Sequence, residues 1–160
     1  MNNEKTKGIV MGAFIAALYA VLTYISAAFG IAYGPIQFRL SEALCILPLF
    51  TPYAIPGLVT GCIISNIGSS LGPVDMLFGT AATFLAAALM HLLKEKLPYP
   101  VLFLFPVLSN AVIVGAEIAL FFGEAGFVSA ALSVAFGEVA VIFVLGTPLY
   151  HYIKKHNIFK

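Results

Sequence analysis

A few side chains able to carry charge or hydrogen bonds stand inside an otherwise apolar chain: Arg39, Glu42, Asp75, Glu117 and Glu138, with the amides of Asn66 and Asn110. Arg39 is the sole arginine. It lies in the polar stretch YGPIQFRLSEAL, residues 33–44, together with Gln37 and Glu42. Carboxylates, amides and one guanidinium are a set for holding a polar solute by charge and hydrogen bonds. The motifs that bond-making chemistry needs are missing. There is no G-x-x-x-x-G-K-[ST], and the dipeptide GK does not occur, so the chain cannot bind ATP through a P-loop. H-E-x-x-H is absent too, and no serine has a histidine at a matching depth, which leaves an intramembrane hydrolase unsupported. His151 and His156 flank a lysine pair near the end and read as a solvated tail; His91 reads as a satisfied or snorkelling histidine. Glu124, in FFGEAGF, reads as a solvated loop residue.

What must position these groups follows from composition. The chain is 61% hydrophobic and 9% charged, with a mean hydropathy of +1.04, too few charges to cover a soluble surface. It reads as an all-α integral membrane protein and a single domain, residues 1–160. A net charge of +1 with no basic stripe argues against nucleic acid as a partner. Cys45 and Cys62 lie in apolar segments and read as small buried hydrophobes. MNNEKTKG runs into the first apolar segment without a cleavage site, so that segment is expected to be retained.

Six spans are expected, at residues 8–29, 40–50, 53–70, 74–93, 101–122 and 127–150. The second is awkward: about 16 Å as a straight α-helix, bounded by Pro48 and Pro52. It reads as a short or oblique helix, or one extended by the preceding PIQFR. Six crossings place Lys5, Lys7, Lys94, Lys96, Lys154, Lys155 and Lys160 on one side and Arg39 on the other. The loops are short, so both termini are expected in the cytoplasm. Tyr53, Tyr99, Tyr150 and Tyr152 then mark the inner boundary. Glu42, Asp75, Glu117, Glu124 and Glu138 fall at outer helix ends or in the outer half, Glu138 deepest.

A carboxylate at mid-membrane costs about 2.5–3.5 kcal/mol on insertion scales, so such groups should face the bundle interior. Asn110 and Glu117 are seven apart and share a helix face. Small residues accompany the acids: Gly79, Ala82 and Ala86 beside Asp75, Ala131 and Ala135 beside Glu138. Glu117 and Glu138 together point to a ligand pocket that opens toward Arg39. For Asn66 and Asn110 a purely interhelical hydrogen bond is an equal reading. Close-packing ladders run along span 1 (Gly8, Gly12, Ala16, Ala20, and again Ala13, Ala17) and span 3 (Gly57, Gly61, Ser65, Ser69).

This combination resembles the substrate-binding S-components of energy-coupling factor (ECF) vitamin transporters. The stretches YGPIQFRLSEALCILPLF, GLVTGCIISN and GPVDMLFGT are similar to the QueT family, the proposed queuosine-precursor transporters, over essentially the whole chain. The resemblance implies a six-helix bundle of S-component type in a bacterial cell membrane, with no cofactor of its own. A transmembrane coupling subunit and two ATPases would supply energy from ATP. The A-x-x-x-A face of the first helix, Ala13 and Ala17 or Ala16 and Ala20, would dock on the coupling subunit, and residues 30–39 would form a lid. The implied substrate is a 7-deazaguanine such as preQ1 or queuine. A guanine-like edge pairs with a carboxylate and with an amide or Arg39, and its ring stacks on Phe38 or Tyr33. The substrate's cationic amine wants a second carboxylate. On that expectation Glu117 and Glu138 take the base edge and the amine in either order, and Asp75 or Glu42 pairs with Arg39. Asn66, Asn110 and Gln37 complete the network. Two rival readings are an S-component for thiamine or riboflavin, and an ion-coupled carrier using Glu138 as a proton relay; a structural subunit would leave the outer acids unexplained.

Overall fold

A computed structural model describes residues 3–33, 36–121 and 126–159, and all regular structure among them is helical. Four helical passes are long and apolar enough to cross a membrane: Glu4–Ala28, Pro73–Leu93, Tyr99–Phe121 and Phe127–His156. Two shorter apolar helices, Leu40–Leu49 and Ala54–Asn66, complete six segments. The chain is thus an all-α, multi-pass membrane protein.

Helix α1 (Asn3–Ala28) is followed by η1 (Leu40–Leu49), which is wound as a 3₁₀-helix. Such a helix rises about 2.0 Å per residue rather than 1.5 Å, so ten residues reach about 20 Å instead of about 15 Å. This resolves the awkward second span: the chain is stretched. The extension through PIQFR does not form, because residues 36–39 are irregular or extended and Arg39, at φ −87° and ψ 108°, only precedes the first turn. Ser41 to Pro48 are all buried, so η1 is a rod enclosed by the other helices.

Helix α2 (Ala54–Asn66) is shorter than the expected 53–70. Beyond Asn66 the chain turns, and the Ser69 hydroxyl accepts the Gly72 N–H at 3.0 Å. Gly72 takes a positive φ of 46° just before Pro73 opens α3 (Pro73–Leu93). The fifth pass is α4 (Tyr99–Leu102) and α5 (Leu104–Phe121), interrupted at Phe103. Pro106 lacks the N–H that the Leu102 carbonyl would take, which accounts for the break. The last pass comprises α6 (Phe127–Val141), a π-turn (Ile142–Gly146) and α7 (Thr147–His156), and runs past the expected end at residue 150. Pro148 removes the partner of the Val144 carbonyl, and a π-turn absorbs the defect. Asn157, left-handed at φ 50°, ends α7.

The two small-residue ladders meet each other. A Cβ on Gly57 would lie 2.7 Å from the Gly12 carbonyl oxygen, and one on Gly61 2.7 Å from Tyr19 Cβ. Helices α1 and α2 therefore touch backbone to backbone. Ala16 and Ala20 are buried in the bundle. The expectation that Ala16 and Ala20 offer an external docking face is corrected: their face is already filled. Ala13 and Ala17 are exposed, alongside Ile9, Val10, Phe14 and Val21.

The lysine-bearing ends come together. Lys7 shares one cavity with Ile158 and Phe159, and Lys94 shares another with Lys154. At that end Tyr99 stacks on Tyr150, centroids 4.6 Å apart, and Phe50 and Phe103 pack around them. His91 lies 2.7 Å through Nδ1 from the Pro48 carbonyl; a carbonyl only accepts, so Nδ1 carries the proton and His91 is satisfied. Both cysteines are free and buried.

Candidate ligand site inside the bundle

The far end of the bundle gathers the polar side chains. Helix α1 contributes a stripe at i, i+4 and i+7: Tyr19, Thr23 and Ser26, all fully buried. The Tyr19 hydroxyl donates to Glu42 Oε1, Thr23 Oγ1 to Ser41 Oγ at 2.7 Å, and Ser26 Oγ accepts the Leu40 N–H at 3.0 Å. These bonds fix the start of η1 and aim Glu42, whose second oxygen receives Cys45 Sγ at 3.0 Å. None of Tyr19, Thr23, Ser26 or Ser41 was among the sequence candidates. Their spacing on one helix face was the available signal.

Arg39 is buried and donates through Nε to the Ala32 carbonyl at 3.0 Å, while its guanidinium lies over the Tyr33 ring, 5.1 Å from the centroid. Among the described residues neither Glu42 nor Asp75 forms an ion pair with it; the ion pair present there is Lys7–Glu4. The expected pairing of Arg39 with Asp75 or Glu42 is therefore corrected. Glu42 is engaged by Tyr19 and Cys45, and Asp75 accepts the Ser69 hydroxyl. The remaining guanidinium nitrogens have no partner among the described residues.

On α2 and α3, Asn66 donates through Nδ2 to the Asp75 backbone carbonyl at 3.0 Å. A Cβ on Gly79 would lie 2.9 Å from that nitrogen, so glycine there makes room for the amide. On α5, Asn110 and Glu117 are both buried, and the Glu117 carboxyl lies within hydrogen-bonding reach of the Asp75 carboxyl, a pair that bonds only when one of the two carries a proton. On α6, Glu138 is buried and faces Glu42 and Arg39. Gly115 and Ala131 bring α5 and α6 close, since a Cβ on Gly115 would lie 2.8 Å from Ala131 Cα.

Several of these groups are left without partners. With the acids ionised, Asn66 Oδ1, Asn110 Nδ2, both Glu117 oxygens and Glu138 Oε2 are enclosed and make no hydrogen bond among the described residues. An unmet buried polar atom costs about 1–3 kcal/mol, more when charged. Five such atoms, on α2, α5 and α6, form an unfilled set of acceptors and one amide donor.

The segment over this end is pinned at several points. The Tyr33 hydroxyl donates to the Ser65 carbonyl at 2.5 Å, and the Phe38 N–H to the Ile31 carbonyl at 2.8 Å. Burial holds the Tyr33 phenol above its ordinary pKa, against the opposing pull of Arg39, so it stays a donor. The Gln37 backbone rests directly on Gly137, where any Cβ would overlap the Gln37 carbonyl. Phe38 meets the exposed Phe136 edge-on, 6.0 Å between centroids, which turns it toward the outside of α6. Gly34, Pro35 and Glu124 lie outside the described residues.

Long apolar passes around a buried polar cluster define a multi-pass membrane protein. Residues 9–155 match the sequence model of the family described as QueT transporter, and the chain belongs to that family. It is 40% identical over 96 residues to the queuosine precursor transporter QueT of Lactococcus lactis subsp. cremoris (strain MG1363). That alignment covers 60% of this chain and 56% of the relative's length, so just over half of that protein is spanned. No solved structure matches the chain.

Proposed function

We propose that this protein is the substrate-binding component of an ECF-type importer and takes up a queuosine precursor, a 7-deazaguanine such as preQ1 or queuine. The observation that carries the reading is the partnerless set at Glu117, Glu138, Asn66 and Asn110 beside Arg39. A guanine-like edge offers adjacent N–H donors to one carboxylate and a carbonyl to the guanidinium or an amide, and the alkylamine satisfies the other carboxylate. The excess of acids over arginine suits a neutral base with a cationic tail and disfavours an anionic solute. Energy comes from outside the chain, through a coupling subunit on the Ala13 and Ala17 face and two ATPases.

The test is a calorimetric panel of preQ1, queuine, guanine, thiamine and riboflavin on the solubilised chain. Saturable binding of a deazaguanine alone is the expected result; a preference for thiamine or riboflavin rejects the substrate. Uptake into vesicles holding this chain without any ATPase would reject the S-component role.

The gathered lysines support an orientation with that end in the bacterial cytoplasm and the ligand site toward the exterior. A single cysteine at Lys94→Cys is expected to resist impermeant maleimide in intact cells and react after lysis, since Cys45 and Cys62 are buried. Labelling from outside would invert the topology.

A further inference from the structure

The lysine-rich end holds a cavity that the ligand site does not use. It has a volume of about 380 Å³ and opens between the ends of α3 and α7, lined by Lys94, Glu95, Tyr99, Tyr150, Lys154 and the apolar Phe50 among others. Its wall is the Tyr99–Tyr150 stack, the rings inclined by only 19°. The Lys154 ammonium stands over the Tyr150 ring, 5.7 Å from its centroid. Lys94 is half-buried, while Glu95 and Lys154 are exposed at the rim. Among the described residues neither lysine pairs with a carboxylate, Glu95 included, and neither tyrosine hydroxyl has a protein partner.

Two cations and one carboxylate leave a single positive charge in a pocket with an apolar floor and two free phenolic donors. That is the complement of a phosphodiester, which carries one negative charge, accepts several hydrogen bonds and is joined to hydrocarbon. The position agrees, because a ring of tyrosines and lysines at a helix-bundle end is where a bilayer's headgroups lie. Basic pockets between transmembrane helices are suited to anionic headgroups.

We infer that this pocket binds the phosphate of an anionic phospholipid, held between Lys94 and Lys154 with the glycerol side against the tyrosine stack. The chain would be released from nanodiscs of mixed phosphatidylglycerol and phosphatidylcholine into native mass spectrometry. The expected result is one retained phosphatidylglycerol per chain, favoured over phosphatidylcholine. In the double variant Lys94→Gln, Lys154→Gln that retention should fall about tenfold or more, whereas Glu95→Gln should raise it. The pair Lys5→Gln, Lys7→Gln, at the same end but outside the pocket, serves as the control for diffuse charge. Unchanged retention in the Lys94, Lys154 variant overturns the site, and so does an equal loss in the control. Displacement of the lipid by millimolar inorganic phosphate would overturn the lipid as the source. Melting temperatures of the surface variants are read alongside, so that a loss through misfolding is recognised.

Discussion

Replacing Glu117 or Glu138 by glutamine is expected to weaken deazaguanine binding by about 100-fold or more. Each carboxylate is buried, and three of their four oxygens are enclosed without a hydrogen-bond donor among the described residues. A charged hydrogen bond contributes about 1.5–3 kcal/mol, and about 1.4 kcal/mol is a factor of ten. Losing one such bond, together with the charge that strengthens the bond to the remaining oxygen, gives the stated loss. Glutamine keeps the volume but presents an amide nitrogen where an acceptor is needed. The ligand-free protein should respond in the opposite sense. An enclosed carboxylate without a partner costs stability, so either variant should melt at or above the temperature of the parent. Calorimetry for affinity and thermal unfolding without ligand check both halves. Parent-like affinity together with lowered melting would mean that these carboxylates hold the bundle and do not bind the solute.

Gly137→Ala is expected to speed ligand release by about tenfold or more, if the covering segment must close to retain it. The added Cβ would overlap the Gln37 carbonyl, and backbone cannot step aside as a flexible side chain can. The segment must lift, loosening the pins at Tyr33 and Phe38. The helix itself should not suffer, since alanine is favoured over glycine in a helix interior by about 1 kcal/mol. Stopped-flow measurement of the off-rate separates the two effects: faster release with undiminished melting temperature places the defect in the lid. An unchanged off-rate would show that the contact plays no part in retention.

Much of the fold was legible because a bilayer penalises polarity so heavily. Four long apolar passes and the gathering of lysines at one end could be read directly, as could the enclosure of Glu117, Glu138, Asn66 and Asn110. What could not be read was geometry that depends on partners. Pro48 suggested a short α-helix, and hydropathy carries no information on whether a buried segment winds at 3.6 or 3 residues per turn. Two overlapping alanine and glycine ladders on α1 were visible, but only the packing shows that Gly12, Ala16 and Ala20 turn inward and Ala13 and Ala17 outward. Charge alone suggested that Arg39 would take an acidic partner. Tyr19, on a neighbouring helix, had already claimed Glu42. Tyrosine, threonine and serine on α1 looked unremarkable among apolar neighbours because hydropathy scales treat them as nearly neutral.

The three-fold winding of η1 has one more effect. Residues three apart stand in straight columns, and one column holds Glu42, Cys45 and Pro48. Its upper member belongs to the polar cluster, and its lower carbonyl meets His91 near the other end of α3. Inserting or deleting one residue between them would swing everything below by about 120°, carrying the Pro48 carbonyl away from His91. Losing three residues would keep the columns but shorten the rod by about 6 Å. Length variation among homologous chains should therefore be found in the connecting loops and be excluded from this segment.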